Sequence, residues 1–227
     1  MTMPNVCADS GEILRALELL LAPDSVAELR CPKTKQRTGS GYYDDFAAMA
    51  SKATALSGTV PGVYITLNPV MPDLLARRVN RFEFWVEDTT TDENILSRRW
   101  LPLDFDPVRV AGISSTDAEH EAALTRARDA KVWLVQQGWL HPILADSGNG
   151  AHLLYRIDLP NDKGSLALVE RVLKAVAQKF SDSTVKVDTD VSNAARIWKV
   201  YGTLACKGDS TPERPHRYAR LLEGDNK

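Results

Sequence analysis

The chain has 227 residues, 44% of them hydrophobic, enough to bury a core as one large domain or as two small lobes sharing a cleft. Its formal net charge of -2 gives no global mark of a nucleic-acid or membrane binder, so contact with a polyanion has to come from a local patch. The three cysteines, Cys7, Cys31 and Cys206, lie far apart, which excludes a CxxC zinc site and a disulfide framework and fits a reducing, cytoplasmic protein.

The opening MTMPNVCADSGE is too polar for a secretory signal, and ILRALELLL carries Arg15 and Glu18 and is too short to span a bilayer, so no membrane association is expected. Asp9 or Ser10 caps a helix with Ile13, Leu17, Leu20 and Leu21 on one face, ending before Pro23. Val26 to Cys31 alternates as a strand. PKTKQRTGSGYYDD reads as a basic, glycine-bearing loop leading into a helix from about Asp44 to Ala55. PGVYITLNPV predicts a strand closed by Asn68-Pro69, with a short helix after Pro72. The polar stretch at 87–97 sets a soft boundary between an N-terminal lobe, 1–97, and a C-terminal lobe, 98–227.

In RRWLPLDFDP, residues 98–107, an extended chain puts Trp100, Pro102, Asp104 and Asp106 on one face. Two carboxylates side by side repel unless a cation lies between them. An Asp-Pro pair also marks a turn, so this stretch alone leaves both readings open. Thr116 and Glu119 form a capping box for a helix with Ala123, Ala127, Ala130 and Leu134 in register and Gly138 as the stop. A short strand at His141 to Ala145, a second strand HLLYRI, a helix from about Ser165 to Phe180 and a strand at Val185 to Val187 follow. Strand, helix, strand, strand, helix, strand is the ferredoxin-like order, also that of RNA-recognition modules.

Between the middle strands, Ser147, Gly148, Asn149 and Gly150 make a tight turn ending at His152. Such a turn offers N–H groups and a hydroxyl to an anion, or simply reverses the chain. KVDTDVSNAARIWKVYGTLACKG, residues 186–208, supplies Asp188, Asp190, and Arg196 and Lys199 read as one helical turn apart. From Arg196 to Arg220, six cations face Asp209 and Glu213, a local charge of 6 − 2 = +4.

Acid-x-acid on a strand, a glycine turn ending in histidine, and an acid followed by arginine and lysine together resemble the three motifs of the archaeo-eukaryotic primase superfamily, in LDFD, SGNGAH and VDTDVSNAARIWKVYGT. GYYDD and VYITLNP are similar to the lobe that precedes these motifs in the primase-polymerase branch of phage, plasmid and prophage replication proteins. The resemblance implies an α+β, two-lobed core, an N-terminal α/β lobe plus an RRM-like catalytic lobe. It implies template-directed nucleotidyl transfer, as DNA primase, primer-extending polymerase or both. Two Mg²⁺ or Mn²⁺ ions would be held by Asp104, Asp106 and Asp188; His152, Ser147 and Asn149 would contact the triphosphate, and Arg196 with Lys199 would neutralise its charge. His152 joins the three aspartates as a catalytic residue on this view.

The implied partners are a single-stranded DNA template, NTP or dNTP, and a helicase in trans or in a longer polypeptide. The template would follow the basic C-terminal region and the 33–37 loop, with Tyr42, Tyr43 or Trp198 as stacking platforms. Asn193 is followed by Ala194 where the family often has proline, which leaves the relative roles of Asp188 and Asp190 open. Two other functions stay open: a non-catalytic single-stranded nucleic-acid or nucleotide-binding module, and a metal-dependent nuclease.

Overall fold

A computed structural model describes residues 8–35 and 37–223 of the chain; Cys7 and Gln36 lie outside the described residues. Helix α1 (Ser10–Leu20) is capped by Asp9, whose carboxylate accepts from the Gly11 N–H at 2.8 Å, and buries Ile13, Ala16, Leu17 and Leu20. It packs on α2 (Phe46–Leu56), capped by Asp45. Beneath them lies a five-stranded sheet of β1 (Ala27–Thr34), β2 (Arg37–Tyr43), β3 (Tyr64–Thr66), β4 (Arg81–Glu83) and β9 (Ile197–Lys199), in the order β4-β2-β1-β3-β9.

The second sheet holds β5 (Ser97–Pro107), β6 (Ile143–Asp146), β7 (Ala151–Pro160), β8 (Val185–Val187) and β12 (Arg220–Glu223), in the order β12-β6-β7-β5-β8. All its pairings are antiparallel. With α3 (Asp117–Gln136) after β5 and α4 (Lys163–Phe180) after β7, β5 to β8 form the ferredoxin-like unit. The capping box on α3 is formed: Thr116 accepts from the Glu119 N–H at 3.2 Å, and Glu119 accepts from the Thr116 N–H at 2.9 Å. One hydrophobic cluster runs from Leu29, Tyr43 and Ile65 of the first sheet to Leu103, Phe105 and Leu153 of the second, so the sheets share a core.

Three readings need correction. The stretch 32–45, read as a loop, is mostly the β1–β2 hairpin; glycine and polar residues hid its strand periodicity. Gly41 sits where a Cβ would come 2.2 Å from the Arg81 carbonyl oxygen, so the small residue serves a close strand approach to β4. Arg196 and Lys199 are not a helical turn apart, because Ile197–Lys199 is β9 and pairs antiparallel with β3, Tyr64 opposite Lys199. Aromatic and β-branched side chains there win over helix by packing Trp198 and Val200 into the core. Tyr42, Tyr43 and Trp198 are buried at 0%, 1% and 3% exposure and cannot be stacking platforms.

Candidate functional site

The acids stand at the end of β5, the strand between β7 and β8. Antiparallel register sets Asp104 opposite His152 and Asp106 opposite Lys186. Asp188 lies just beyond β8, and its N–H donates to the Asp104 carbonyl at 2.9 Å, tying the third acid to the first through backbone alone. Gly150 makes the turn possible: a Cβ there would meet the Phe105 carbonyl oxygen at 2.2 Å. Gly148 has φ of +86°, and Ser147 closes the loop by accepting from the Gly150 N–H at 2.9 Å.

A cavity of about 270 Å³ opens at this point, and Asp104, Asp106, Ser147, Asn149, His152, Asp188, Arg196 and Lys199 all line it. Every residue that the resemblance assigned to a metal or to the triphosphate therefore faces one space. Sequence reasoning passed over two further lining residues, Pro61 and Tyr64, and took Lys207, which also lines the cavity, only as one cation of the basic C-terminal region. The first two sit in a loop and strand whose pattern carries no chemistry. They reach the site because β9 brings β3 alongside it. Asp190 is exposed and does not line the cavity; its N–H donates to Asp188 at 2.8 Å, which separates two acids that the sequence left equivalent.

Asp104 Oδ1 is buried without a hydrogen-bond partner. Burial, then the charges of Asp106 and Asp188, hold its carboxyl well above the usual carboxylate range, against weaker pulls from Lys207 and Arg109. Arg109 lies 3.5 Å from Asp106. An orphaned carboxylate oxygen among like charges suits a hard divalent cation, which prefers oxygen ligands. Among the described residues no group of three or more His, Cys, Asp or Glu side chains is arranged to hold an ion by itself. Magnesium sites commonly use one or two carboxylates and complete their shell with water and substrate phosphate, so an open carboxylate set still fits such an ion.

Across the cavity the groups are donors. Arg196 Nε is buried without a partner. Lys199 is 6% exposed, with its ammonium 4.5 Å from the centre of the Tyr64 ring. Burial, reinforced by Lys207, pushes Lys199 down to about 8. His152 is 4% exposed, and burial together with the Lys199 charge pushes it down to about 3, so it is neutral at ordinary pH.

The protonated nitrogen of that neutral ring follows from its neighbours. Trp198 Nε1–H can only donate, and it does so to the Tyr201 hydroxyl at 3.0 Å. The buried hydroxyl must place its own proton, and His152 Nδ1 stands 2.9 Å away. Nδ1 accepts, so Nε2 carries the proton. Nε2 lies 3.5 Å from Asp104 Oδ1, beside the cavity. Asn149 is also tied: its side-chain oxygen accepts from the Ser115 N–H at 2.9 Å, which anchors the turn to the segment entering α3.

The basic C-terminal region is less free than its composition implied. Arg214 forks onto Glu119, and Arg217 pairs with Asp117 at 2.6 Å, both at the start of α3. Among the described residues no helix is long and apolar enough to cross a membrane.

No protein-family model matches the chain, and no curated protein matches it in sequence. Among solved structures the chain is similar to the primase RepB', with a TM-score of 0.50 and 11% identity over 96% of this chain and 57% of that one. The catalytic domain of primase RepB' in complex with initiator DNA matches with a TM-score of 0.44 and 11% identity, covering 95% and 87% of the two chains. The polymerase domain from Mycobacterium tuberculosis Ligase D in complex with DNA matches with a TM-score of 0.47 and 15% identity, covering 96% and 86%. The shared property is the fold, a mixed α and β primase-polymerase architecture with antiparallel sheets, which is the class the three motifs implied. The chain spans 57% of the length of the RepB' chain.

Proposed function

We propose that this chain is a template-directed nucleotidyltransferase, a DNA primase or primer-extending polymerase, that joins a 3′-hydroxyl to the α-phosphate of an incoming nucleoside triphosphate and releases pyrophosphate. The observation that carries the reading is the meeting of an unpartnered carboxylate oxygen on Asp104 and an unpartnered guanidinium nitrogen on Arg196 in one cavity. Such a pairing of acidic and basic walls suits a polyphosphate bound with cations.

Asp104, Asp106 and Asp188 would hold Mg²⁺ or Mn²⁺, which when bound screens phosphate charge and favours the ionised 3′-hydroxyl. Arg196 and Lys199 would receive the β- and γ-phosphates, the guanidinium through its fork of donors and the ammonium as a point charge. His152 stays neutral and presents Nε2–H as a hydrogen-bond donor to a phosphate oxygen; with so low a proton affinity it is a poor general base at neutral pH. Ser147 would add a hydroxyl beside it.

The partners on this reading are a single-stranded DNA template, NTP or dNTP, and a helicase in trans or in a longer polypeptide. A labelled-template assay in Mg²⁺ or Mn²⁺, with NTPs or dNTPs and with or without primer, tests it. The expected result is template-dependent product from the wild type and none from folded Asp104→Ala/Asp106→Ala. Strand degradation in Mn²⁺ without nucleotides would point to a nuclease, and metal-independent strand binding without product to a binding module.

A further inference from the structure

A template must reach the cavity over an outer surface, and the aromatic residues expected to form that surface are in the core. The exposed aromatic is Trp85, 59% accessible in the segment after β4. Its φ of 62° lies in the left-handed region, which a bulky side chain enters only when the surrounding structure holds it there. The Val86 N–H donates to the Thr38 carbonyl at 3.2 Å, pinning this segment to β2. Arg37, exposed at the start of β2, places its guanidinium 5.4 Å from the centre of the indole. The preceding aromatic takes the opposite course: Phe84 packs edge-on against Phe82, ring centres 5.2 Å apart, and lies over Gly39. The backbone turn thus separates two adjacent rings, one inward and one outward.

Phe84 is also a wall of a groove of about 510 Å³ that includes Lys35, Thr59, Pro61 and Cys206. Pro61 lines the acidic cavity as well, and Ala205, the neighbour of Cys206, lines it too. The Cys206 N–H donates to the Pro61 carbonyl at 2.9 Å, so groove and cavity share a sill. Exposed cations mark both ends, Lys35 and Arg37 at the hairpin and Lys207 at the cavity.

We infer that Trp85, backed by Arg37, is the platform on which a base of the single-stranded DNA template stacks, and that the groove from Phe84 to Pro61 leads the strand to the cavity. This rests on the template-directed reading above. A flat, outward indole needs the open face of an unpaired base, which a duplex does not offer along its length; the cations meet the strand's phosphates. Stacking of this kind is tolerant of sequence, as a template reader requires.

Binding of a fluorescein-labelled oligothymidylate to the full chain, followed by anisotropy in EDTA without nucleotide, tests the inference. Trp85→Gly is the decisive variant, because glycine accepts the left-handed backbone and removes only the ring. Its melting temperature is expected to hold or rise while affinity falls about tenfold; Trp85→Phe should bind close to wild type. Arg37→Gln should weaken binding and lower the slope of log affinity against log salt by about one. The inference is overturned if wild type does not bind, if folded Trp85→Gly binds like wild type, or if duplex DNA competes as well as single strand. Incorporation assays on the same proteins separate the two claims. Ring-dependent binding without any product sinks the enzymatic reading and leaves the platform. Template-dependent product with an unchanged template KM in Trp85→Gly sinks the platform and leaves the enzyme.

Discussion

Each of the two sheets carries a carboxylate oxygen withdrawn from solvent, and their surroundings are opposite. Glu28 on β1 is 0% exposed and saturated with donors: Arg30 Nε at 3.0 Å, the Ser40 hydroxyl at 2.5 Å and the Thr90 N–H at 3.0 Å, with a further Arg30 contact. Burial pushes its carboxyl up, but Arg30, Ser40 and Thr90 together more than offset this and hold it below the usual range. Asp104 on β5 has an oxygen with no hydrogen-bond partner, His152 Nε2 standing off at 3.5 Å, and two acids as neighbours, and it is held above the range. A buried charge with its partners present is a structural tie between β1, β2 and the segment at Thr90. One that lacks them marks a place where a ligand supplies the missing interaction.

The widest contrast expected is in activity. On the proposed reading, Asp104→Ala/Asp106→Ala should lower nucleotide incorporation by roughly 10³-fold or more with the fold retained by circular dichroism, since losing the carboxylates proposed to hold a cation would forfeit several kcal/mol of transition-state stabilisation. Glu28→Gln should do the reverse, leaving Arg30 and Thr90 with an uncharged partner and lowering unfolding free energy by about 3 kcal/mol in a denaturant titration.

Tyr201→Phe probes the hydroxyl that sets the His152 tautomer. About a tenfold rise in nucleotide KM is expected, beyond the loss of about 1–2 kcal/mol in stability from an unpaired buried Trp198 N–H. A purely structural tyrosine would lower stability and leave KM alone. Lys199 loses its proton as pH rises through about 8, so nucleotide KM should climb above that point in the wild type. In Lys199→Met it should start higher and stay flat.

The smallest effect is in stability against pH, and its sign differs between the two acids. Asp104 keeps its proton longer in the folded chain than in the unfolded one. As pH rises through the carboxylate range the unfolded chain ionises first, and stability falls until the folded group follows. Glu28 is depressed, so its contribution is present above that range and is lost as pH falls through its lowered value. Asp104→Asn should therefore stabilise the metal-free protein by about 1 kcal/mol near neutral pH and remove the decline, at the expense of activity.

The sequence by itself determined the local devices of this protein. The Thr116–Glu119 box, the apolar period of α3 and α4 and the alternation along Ser97–Pro107 are written in contiguous residues, because helix and strand periods and end-capping act over a few positions. The spacing of Asp104, Asp106, His152 and Asp188, joined to the ferredoxin-like order, was enough to aim them at one place. Tertiary structure decided the rest. Whether 197–199 became helix or strand depended on β3 being there to pair with it. Whether Tyr42, Trp198 or Trp85 met solvent depended on backbone turns and packing partners far away in the chain, and so did the difference between Glu28 and Asp104: a carboxylate reads the same in sequence whether donors from residues 40 and 90 surround it or none do. Long-range pairing is chosen by the packing of whole faces against each other, a sum over many weak contacts that no short stretch contains.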